Sequence, residues 1–218
     1  MESVVVFTIL LTLAAVVSVA WRPVVTRDSE GKILAFFALF ILPAAAALSG
    51  GFHQLEKSRQ TAFCLSCHTM SEHGRSLFID DPSFLPATHY QYNRVPRETA
   101  CYTCHTDYTM YGGLSAKWRG LRHVYVQYIG QRPEPAAIKT YSPYNNRECL
   151  HCHQGARSFE QQSAHNEEAG MMASIKSNAT SCLSSGCHEF VHEVELLGEA
   201  TFWDPSPAAE DSNAGPPN

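Results

Sequence analysis

The chain begins with two long runs of apolar residues on either side of a short polar stretch. Ser3 to Trp21 contains 19 residues without a charge, and Ile33 to Phe52 contains another 20. A helix needs about 20 apolar residues to cross the hydrocarbon core of a bilayer. The pattern therefore predicts two transmembrane helices, with residues 1–52 as a membrane anchor.

Two other interpretations of the apolar runs are weaker. A cleaved secretion signal carries a basic segment ahead of its apolar core, whereas this chain has no Lys or Arg before Arg22. Helices buried in a soluble core need apolar partners, and nothing further along the chain is apolar enough to cover two of them. We expect both helices to be retained in the membrane.

The basic residues of the polar stretch predict the orientation of this anchor. Arg22, Arg27 and Lys32 are the only basic residues among the first 56. Basic loops stay in the cytoplasm, so both outer ends of the two helices are expected on the opposite side of the membrane. Pro43 lacks an N–H group and predicts a kink or an early end of the second helix near Leu42.

Beyond the anchor, the dominant pattern is a repeated cysteine motif that ends in Cys-His. The four units are Cys64-Leu-Ser-Cys67-His68, Cys101-Tyr-Thr-Cys104-His105, Cys149-Leu-His-Cys152-His153 and Cys182-Leu-Ser-Ser-Gly-Cys187-His188, and they use all eight cysteines. Cys-x-x-Cys-His is the attachment motif of c-type haem, in which two thiols bind the porphyrin and the histidine ligates iron. The units predict four covalent haems. In the longer fourth unit, Gly186 relieves the turn before the second cysteine.

Two other uses of paired cysteines explain less of this pattern. A zinc ribbon binds its metal through four sulfurs and does not require a histidine after every second cysteine. A disulfide framework suits an extracellular protein but has no use for the histidines either. Visible absorption separates the three interpretations, because only haem gives intense visible bands.

The remaining pattern predicts a mainly α fold with much irregular loop. Residues 53–202 would carry four haems, which themselves fill much of the core, and the chain shows little strand alternation. We therefore expect two transmembrane helices followed by a haem-packed tetrahaem domain. Residues 203–218, rich in Pro, Ala, Ser and Asn, are expected to form a flexible tail or strap.

One longer amphipathic helix is predicted inside this domain. Five apolar and aromatic residues are spaced four, three, four and three positions apart, so they form a stripe along one face of a helix. They are Leu114, Trp118, Leu121, Tyr125 and Tyr128. Gly112-Gly113 and Gly130 are natural ends for such a helix. The stripe suits either packing against the core or a position at the membrane interface, where Trp and Tyr are favoured.

Composition narrows the possible functions. The net charge is −5, with 16 basic and 21 acidic residues, which excludes a nucleic-acid binder because such a protein needs a basic surface. Seven of the 11 histidines lie outside the Cys-His positions. We favour His89, His165 and His192 as distal iron ligands. His53 and His73 are expected at the surface or at haem propionates, and His151 is expected to face solvent.

At this point the chain resembles the NapC/NrfH/NirT group of membrane-anchored tetrahaem cytochromes, over Phe63 to about Val194. Cys64 to Met70 is similar to the motif that binds the first haem in that group. This resemblance implies that Met70, and not His68, is the axial ligand of the first haem. The resemblance also extends to Thr88-His89-Tyr90 ahead of the second unit and to His192 after the fourth. It implies a bacterial inner-membrane protein, with its haem domain in the periplasm, that oxidises quinol and reduces a periplasmic reductase.

The departures from this group are equally specific. Two spans are predicted where the group typically has one, and the fourth unit is expanded. Met171-Met172 occupies a place where many relatives carry a histidine. By family position, Lys117 and His123 are the candidates for binding and deprotonating the quinol, with His123 where an acidic residue is frequent. They lie six residues apart and do not share one helix face.

Two classes of function follow. In the first, the chain is a quinol dehydrogenase that takes electrons from the quinone pool near the first haem. In the second, it is a non-catalytic relay between other redox proteins. A relay needs four six-coordinate haems, whereas a quinol oxidiser needs one haem that is accessible to substrate. Met70 and the short distance in sequence from Phe52 to Cys64 favour the enzyme.

Overall fold

The structure is a computed structural model and describes residues 2–140 and 143–205. The regular elements of this part of the chain are helices, as predicted, and two residues, Ile79 and Phe202, form an isolated antiparallel bridge. The α-helices are α1 (Glu2–Trp21), α2 (Ser29–Phe36), α3 (Leu42–Lys57), α4 (Thr61–Leu65), α5 (Ser71–Arg75), α6 (Leu85–Gln91), α7 (Ala100–His105), α8 (Gly112–Tyr128), α9 (Arg147–His153), α10 (Arg157–Glu160), α11 (Ser163–Asn166) and α12 (Met171–Lys176). The chain divides into an N-terminal unit, Met1–Ser58, and a C-terminal unit, Arg59–Asn218.

The N-terminal unit is a pair of long apolar helices. The first membrane-length helix spans Ser3–Trp21, and the second runs without interruption over Ser29–Lys57. The two helices pack against each other, and the small residues Ala35 and Ala38 of the second are buried. The hydroxyl groups of Thr8, Thr12 and Ser18 donate to carbonyls four residues earlier, so these polar groups are satisfied within the helix.

Of the two outcomes predicted near Leu42, a kink or an early end of the second helix, the early end is wrong. The helix widens instead into a π-helical turn at Phe37–Ile41, where the N–H of Leu42 donates to the carbonyl of Phe37. Pro43 cannot donate to the carbonyl four residues earlier, and its ring crowds that carbonyl. The wider turn takes up this mismatch, so α3 continues beyond the apolar run and ends at Lys57.

The C-terminal unit has three small apolar clusters among its described residues in place of one large core. One surrounds Phe78 and Tyr90, the second surrounds Phe84 and Ala87, and the third surrounds Phe159. Met171 and Met172 pack against the third cluster. Such divided packing suits a domain whose interior is completed by large prosthetic groups.

The chain returns across the first cluster near its C-terminal end. The N–H of Trp203 donates to the carbonyl of Phe78 at 2.7 Å, and the two rings stack with centroids 6.2 Å apart. The guanidinium of Arg97 lies 5.4 Å from the ring centroids of both Tyr90 and Trp203. Residues 201–205 therefore form a strap on the C-terminal unit, and the predicted tail beyond residue 205 lies outside the described residues.

Candidate haem-binding sites

Two of the four Cys-Cys-His units lie within short helices. Cys101 to His105 falls within α7, and Cys149 to His153 falls within α9. Residues three and four apart share one face of a helix, so both thiols and the histidine of a unit project to the same side. The first unit begins on α4 and ends in a 3-10 turn, His68–Met70.

The fourth unit is a closed turn, which accommodates its longer spacing. The N–H of His188 donates to the carbonyl of Cys182 at 3.0 Å, and the N–H of Cys187 donates to the carbonyl of Ser184 at 3.0 Å. Gly186 has φ of +80°, a conformation that costs other residues free energy. The glycine thus has the role expected from the sequence.

The thiols of different units lie next to each other in two pairs. Cys64 and Cys101 are hydrogen-bonded through their side chains, and so are Cys149 and Cys182. The bond from Cys101 and the charge of Lys117 bring the pKa of Cys64 down to about 7. The bond to Cys64, together with burial, raises the pKa of Cys101. The first unit thus adjoins the second, and the third adjoins the fourth.

Three histidines from outside the units face histidines within them. The ring centroids are 6.1 Å apart for His192 and His105, 6.0 Å for His89 and His153, and 6.3 Å for His165 and His188. With metal–nitrogen bonds of about 2 Å on either side, two imidazoles on one metal ion have centroids about 6 Å apart. The spacing of all three pairs fits an iron between two imidazoles. His89 precedes the second unit in sequence but faces the third.

The same three histidines are fixed in one tautomer. Nδ1 of His89 donates to the carbonyl of Leu85 at 2.8 Å, and Nδ1 of His165 donates to the carbonyl of Phe159 at 3.1 Å. Each ring is left with Nε2 as the basic nitrogen. Metal-binding histidines are oriented in this way by a hydrogen bond from the other ring nitrogen.

Nδ1 of His192 is oriented by a hydroxyl group. It lies 2.7 Å from Oγ of Ser76, and that hydroxyl donates its own hydrogen to the carbonyl of His73 at 2.6 Å. The serine oxygen therefore accepts from the imidazole. Ser76 is fully buried, and nothing in the sequence pattern singled it out.

Burial keeps several of these imidazoles neutral. It lowers the pKa of His192 to about 3, with the charges of His105 and His73 acting in the same direction. Burial also lowers the pKa of His105, His153 and His188. A neutral imidazole is the form that binds a metal, so the surroundings suit ligation.

The first unit differs from the other three. His68 is exposed, and no second histidine ring faces it within the described part of the chain. Met70 ends the same short turn that His68 begins. Both remain candidates for the axial ligand at this position.

The two quinol-site candidates lie on different sides of α8. The ammonium of Lys117 is 4.4 Å from the ring centroid of Tyr102 and acts electrostatically on Cys64 of the first unit. His123 acts on His105 of the second unit. Partial desolvation and the charge of Arg122 lower the pKa of His123. The structure thus brings only Lys117 beside the first unit.

The other histidines have separate surroundings. His53 is half-buried on α3. His73 is half-buried, its Nδ1 is buried, and its ring lies 5.6 Å from that of His192. His151 is exposed, and its ring stacks on Tyr108 with centroids 3.7 Å apart.

Asn146 was missed by the sequence analysis, although it joins the third unit to the fourth. Its amide nitrogen donates to the carbonyls of Ile175 and Thr180 at 2.8 and 2.6 Å, and its amide oxygen accepts from the N–H of Cys182 at 2.8 Å. It is 1% exposed and directly precedes α9. The sequence pattern does not reveal such a role for a single polar residue, because the partners of Asn146 lie 29 to 36 residues away along the chain.

The competing uses of the cysteines find no support in this geometry. The eight cysteines, all within the described residues, form no disulfide with one another. No group of three or more His, Cys, Asp or Glu residues within residues 2–140 and 143–205 is arranged to hold a bare metal ion. Pairs of imidazoles at the spacing of one haem iron, each beside two thiols, fit c-type haem.

The helical fold, the membrane-length helices and the Cys-His units define a membrane-anchored multihaem cytochrome. The model of the NapC/NirT cytochrome c family, N-terminal region, matches residues 27–196. The chain belongs to this family, which confirms the resemblance seen in the sequence. It is an electron-transfer protein with covalently bound c-type haem. No curated protein and no solved structure matched the chain.

Proposed function

We propose that the protein oxidises quinol at the membrane face and passes the electrons through four c-type haems to a periplasmic reductase. The observation that carries the proposal is the contrast between the units. Three have a second imidazole at the spacing of a shared iron, whereas the first has none among the described residues. One haem with an accessible position is what a quinol oxidiser needs and what a relay does not.

In this proposal three haems are six-coordinate. The axial pairs are His105 with His192, His153 with His89, and His188 with His165. The first haem is ligated by Met70 or His68. The thioether bonds are made by Cys64 and Cys67, Cys101 and Cys104, Cys149 and Cys152, and Cys182 and Cys187.

The proposed chemistry is oxidation of quinol to quinone, with release of two electrons and two protons. Lys117, beside the first unit, is placed to bind a quinol oxygen through its ammonium group. His123, whose pKa lies below the usual range, is neutral at pH 7 and able to accept a proton.

The order of electron transfer follows from the neighbouring thiols. The first unit adjoins the second through Cys64 and Cys101, and the third adjoins the fourth through Cys149 and Cys182. Helices α7 and α9 pack together and link the two pairs. Electrons would enter at the first haem and leave from the fourth, one at a time.

The proposed location is the bacterial inner membrane, with the C-terminal unit in the periplasm. The two membrane-length helices support an anchor, and the basic residues between them support a cytoplasmic loop. The partner that receives electrons would be a soluble or peripheral multihaem reductase.

The function is tested by anaerobic mixing of the purified full-length protein with a reduced quinol. We expect the absorption of ferrous haem to appear. Lys117→Gln should lower the rate of this haem reduction by about tenfold or more. Arg132→Gln, an exposed basic residue beyond α8, is the matched control and should leave the rate unchanged. Dithionite should reduce every variant fully. Reduction by dithionite but not by quinol in the native protein would identify a relay.

The number of haems has its own test. A pyridine haemochrome assay and the intact mass should both give four haems per chain. Three would mean that the expanded fourth unit is not loaded, and none would contradict the whole interpretation.

A further inference from the structure

The apolar stripe of α8 is not covered by the described residues of the chain. Its five members are between 55% and 79% exposed, and they are Leu114, Trp118, Leu121, Tyr125 and Tyr128. The helix faces the C-terminal unit through a different side, where Ala116, Gly120 and Gln127 are half-buried. The described residues of the chain therefore do not cover the stripe, which favours the second of the two interpretations open from the sequence, a position at the membrane interface.

The charges of α8 are all of one sign. Gly112–Tyr128 contains Lys117, Arg119 and Arg122 and no acidic residue. At about 100° per residue, Arg122 lies about 80° to one side of the stripe, and Lys117, whose ammonium lies over the ring of Tyr102, lies about 60° to the other. Arg122 is thus the exposed cation beside this band of aromatic and aliphatic side chains.

We propose that α8 lies on the surface of the bilayer, with its stripe in the boundary between headgroups and acyl chains. Trp and Tyr favour this boundary, and an Arg beside the stripe extends toward anionic phosphates while its aliphatic part stays in the apolar layer. The occupant of the stripe is therefore lipid with anionic headgroups.

A lipid surface is favoured over a protein partner by the chain's own connectivity. The same polypeptide carries two membrane-length helices, and three residues, Ser58 to Gln60, join the end of α3 to the start of α4. A segment of three residues spans at most about 11 Å. The C-terminal unit is therefore always close to a bilayer. This contact does not depend on quinol oxidation and holds equally for a relay.

The test uses the full-length haem protein with one introduced cysteine. Leu114→Cys and Tyr128→Cys place a thiol at either end of the stripe, and Glu168→Cys places one at an exposed site elsewhere. Each variant is treated with a membrane-impermeant maleimide, first in amphipol and then in nanodiscs of phosphatidylethanolamine and phosphatidylglycerol with one chain per disc. The wild-type protein reports any reaction of the native cysteines.

We expect both stripe cysteines to react about tenfold more slowly in nanodiscs than in amphipol, and the control cysteine to react equally fast in both. Fast reaction of the stripe cysteines in nanodiscs would overturn the proposal and leave the stripe to solvent or a protein partner. Slow reaction in both media would also overturn it, because the stripe would then be covered by a haem or by the chain itself. Unchanged haem spectra confirm that each variant is folded.

Discussion

Three histidines donate a hydrogen bond from Nδ1, and this bond leaves Nε2 as the nitrogen that can bind iron. Backbone carbonyls orient His89 and His165, and Ser76 orients His192. A ring held in this way loses little further freedom when Nε2 binds iron, and its basicity is raised by the bond it donates. Single residues thus prepare sites that the haems complete.

The axial ligand of the first haem depends on a single residue. The family motif implies Met70, and a thioether binds iron more weakly than an imidazole. Met70→Leu should therefore change the spin state or the potential of one haem and leave three unchanged, as measured by electron paramagnetic resonance and redox titration. His68→Ala is the comparison. The same change in His68→Ala, with Met70→Leu silent, would assign the ligand to His68.

Asn146 gives a prediction about stability. Asn146→Ala would leave two carbonyls and the N–H of Cys182 without their partner, and each unsatisfied buried group costs about 1–3 kcal/mol. We expect the free energy of unfolding to fall by about 3 kcal/mol or more, seen as a lower thermal midpoint.

The neighbouring Asn145→Ala is the control for this substitution, because Asn145 makes one exposed bond to the N–H of Arg147. It should cost about 1 kcal/mol or less. Equal losses from Asn145→Ala and Asn146→Ala would show that the buried hydrogen bonds of Asn146 are not what joins the third and fourth units.

At the scale of elements, the same chemical motif is built in two ways. The second and third units use the periodicity of a helix to bring two thiols and an imidazole together. The fourth has two more residues between its cysteines, and it closes as a loop around a glycine with φ of +80°. In the loop, the backbone conformation at the glycine positions the two thiols and the histidine. In the helices, the direction of the side chains from one face does so.

Gly186→Val should therefore impair haem attachment at the fourth unit. No atom lies within 4 Å of the Cβ it would add, so the cost is one of backbone conformation, about 1–3 kcal/mol. The intact mass should show a population that lacks one haem. Gly186→Asn should attach four haems, because Asn tolerates the left-handed region.

Gly198→Val is the matched control for the glycine substitution. Its added Cβ also meets no atom within 4 Å, and its φ lies outside the left-handed region. Full haem loading is expected. If both valine variants lost haem equally, the conformation of the fourth unit would not be the cause.

At the scale of the whole molecule, the anchor sets the orientation. We expect a periplasm-only reporter fused after Met1 and a cytoplasm-only reporter inserted near Ser29 both to be active, since the basic residues among the first 56 all lie in the polar stretch between the two apolar runs. The complementary reporters at the same two positions are the controls and should be silent. Loss of α1 by cleavage would contradict this arrangement.

The sequence by itself determined the class of this protein. Two apolar runs of membrane length are expected in a bilayer when no other part of the chain is apolar enough to cover them. Covalent haem attachment requires two thiols and an adjacent histidine at fixed spacing. Both requirements are local, so the two membrane-length helices, the helical class and the four Cys-His units were all found from the chain alone. The same is true of the bounds of α8, predicted from Leu114 to Tyr128 and found at Gly112–Tyr128.

Only the tertiary structure decided how these parts meet. His89 could not be matched to the third unit from sequence, because it precedes the second and reaches His153 by the folding of the intervening chain. The exposed stripe of α8 and the buried bonds of Asn146 are likewise products of packing. A periodic pattern fixes which residues share a face, but what that face touches depends on contacts between residues far apart along the chain.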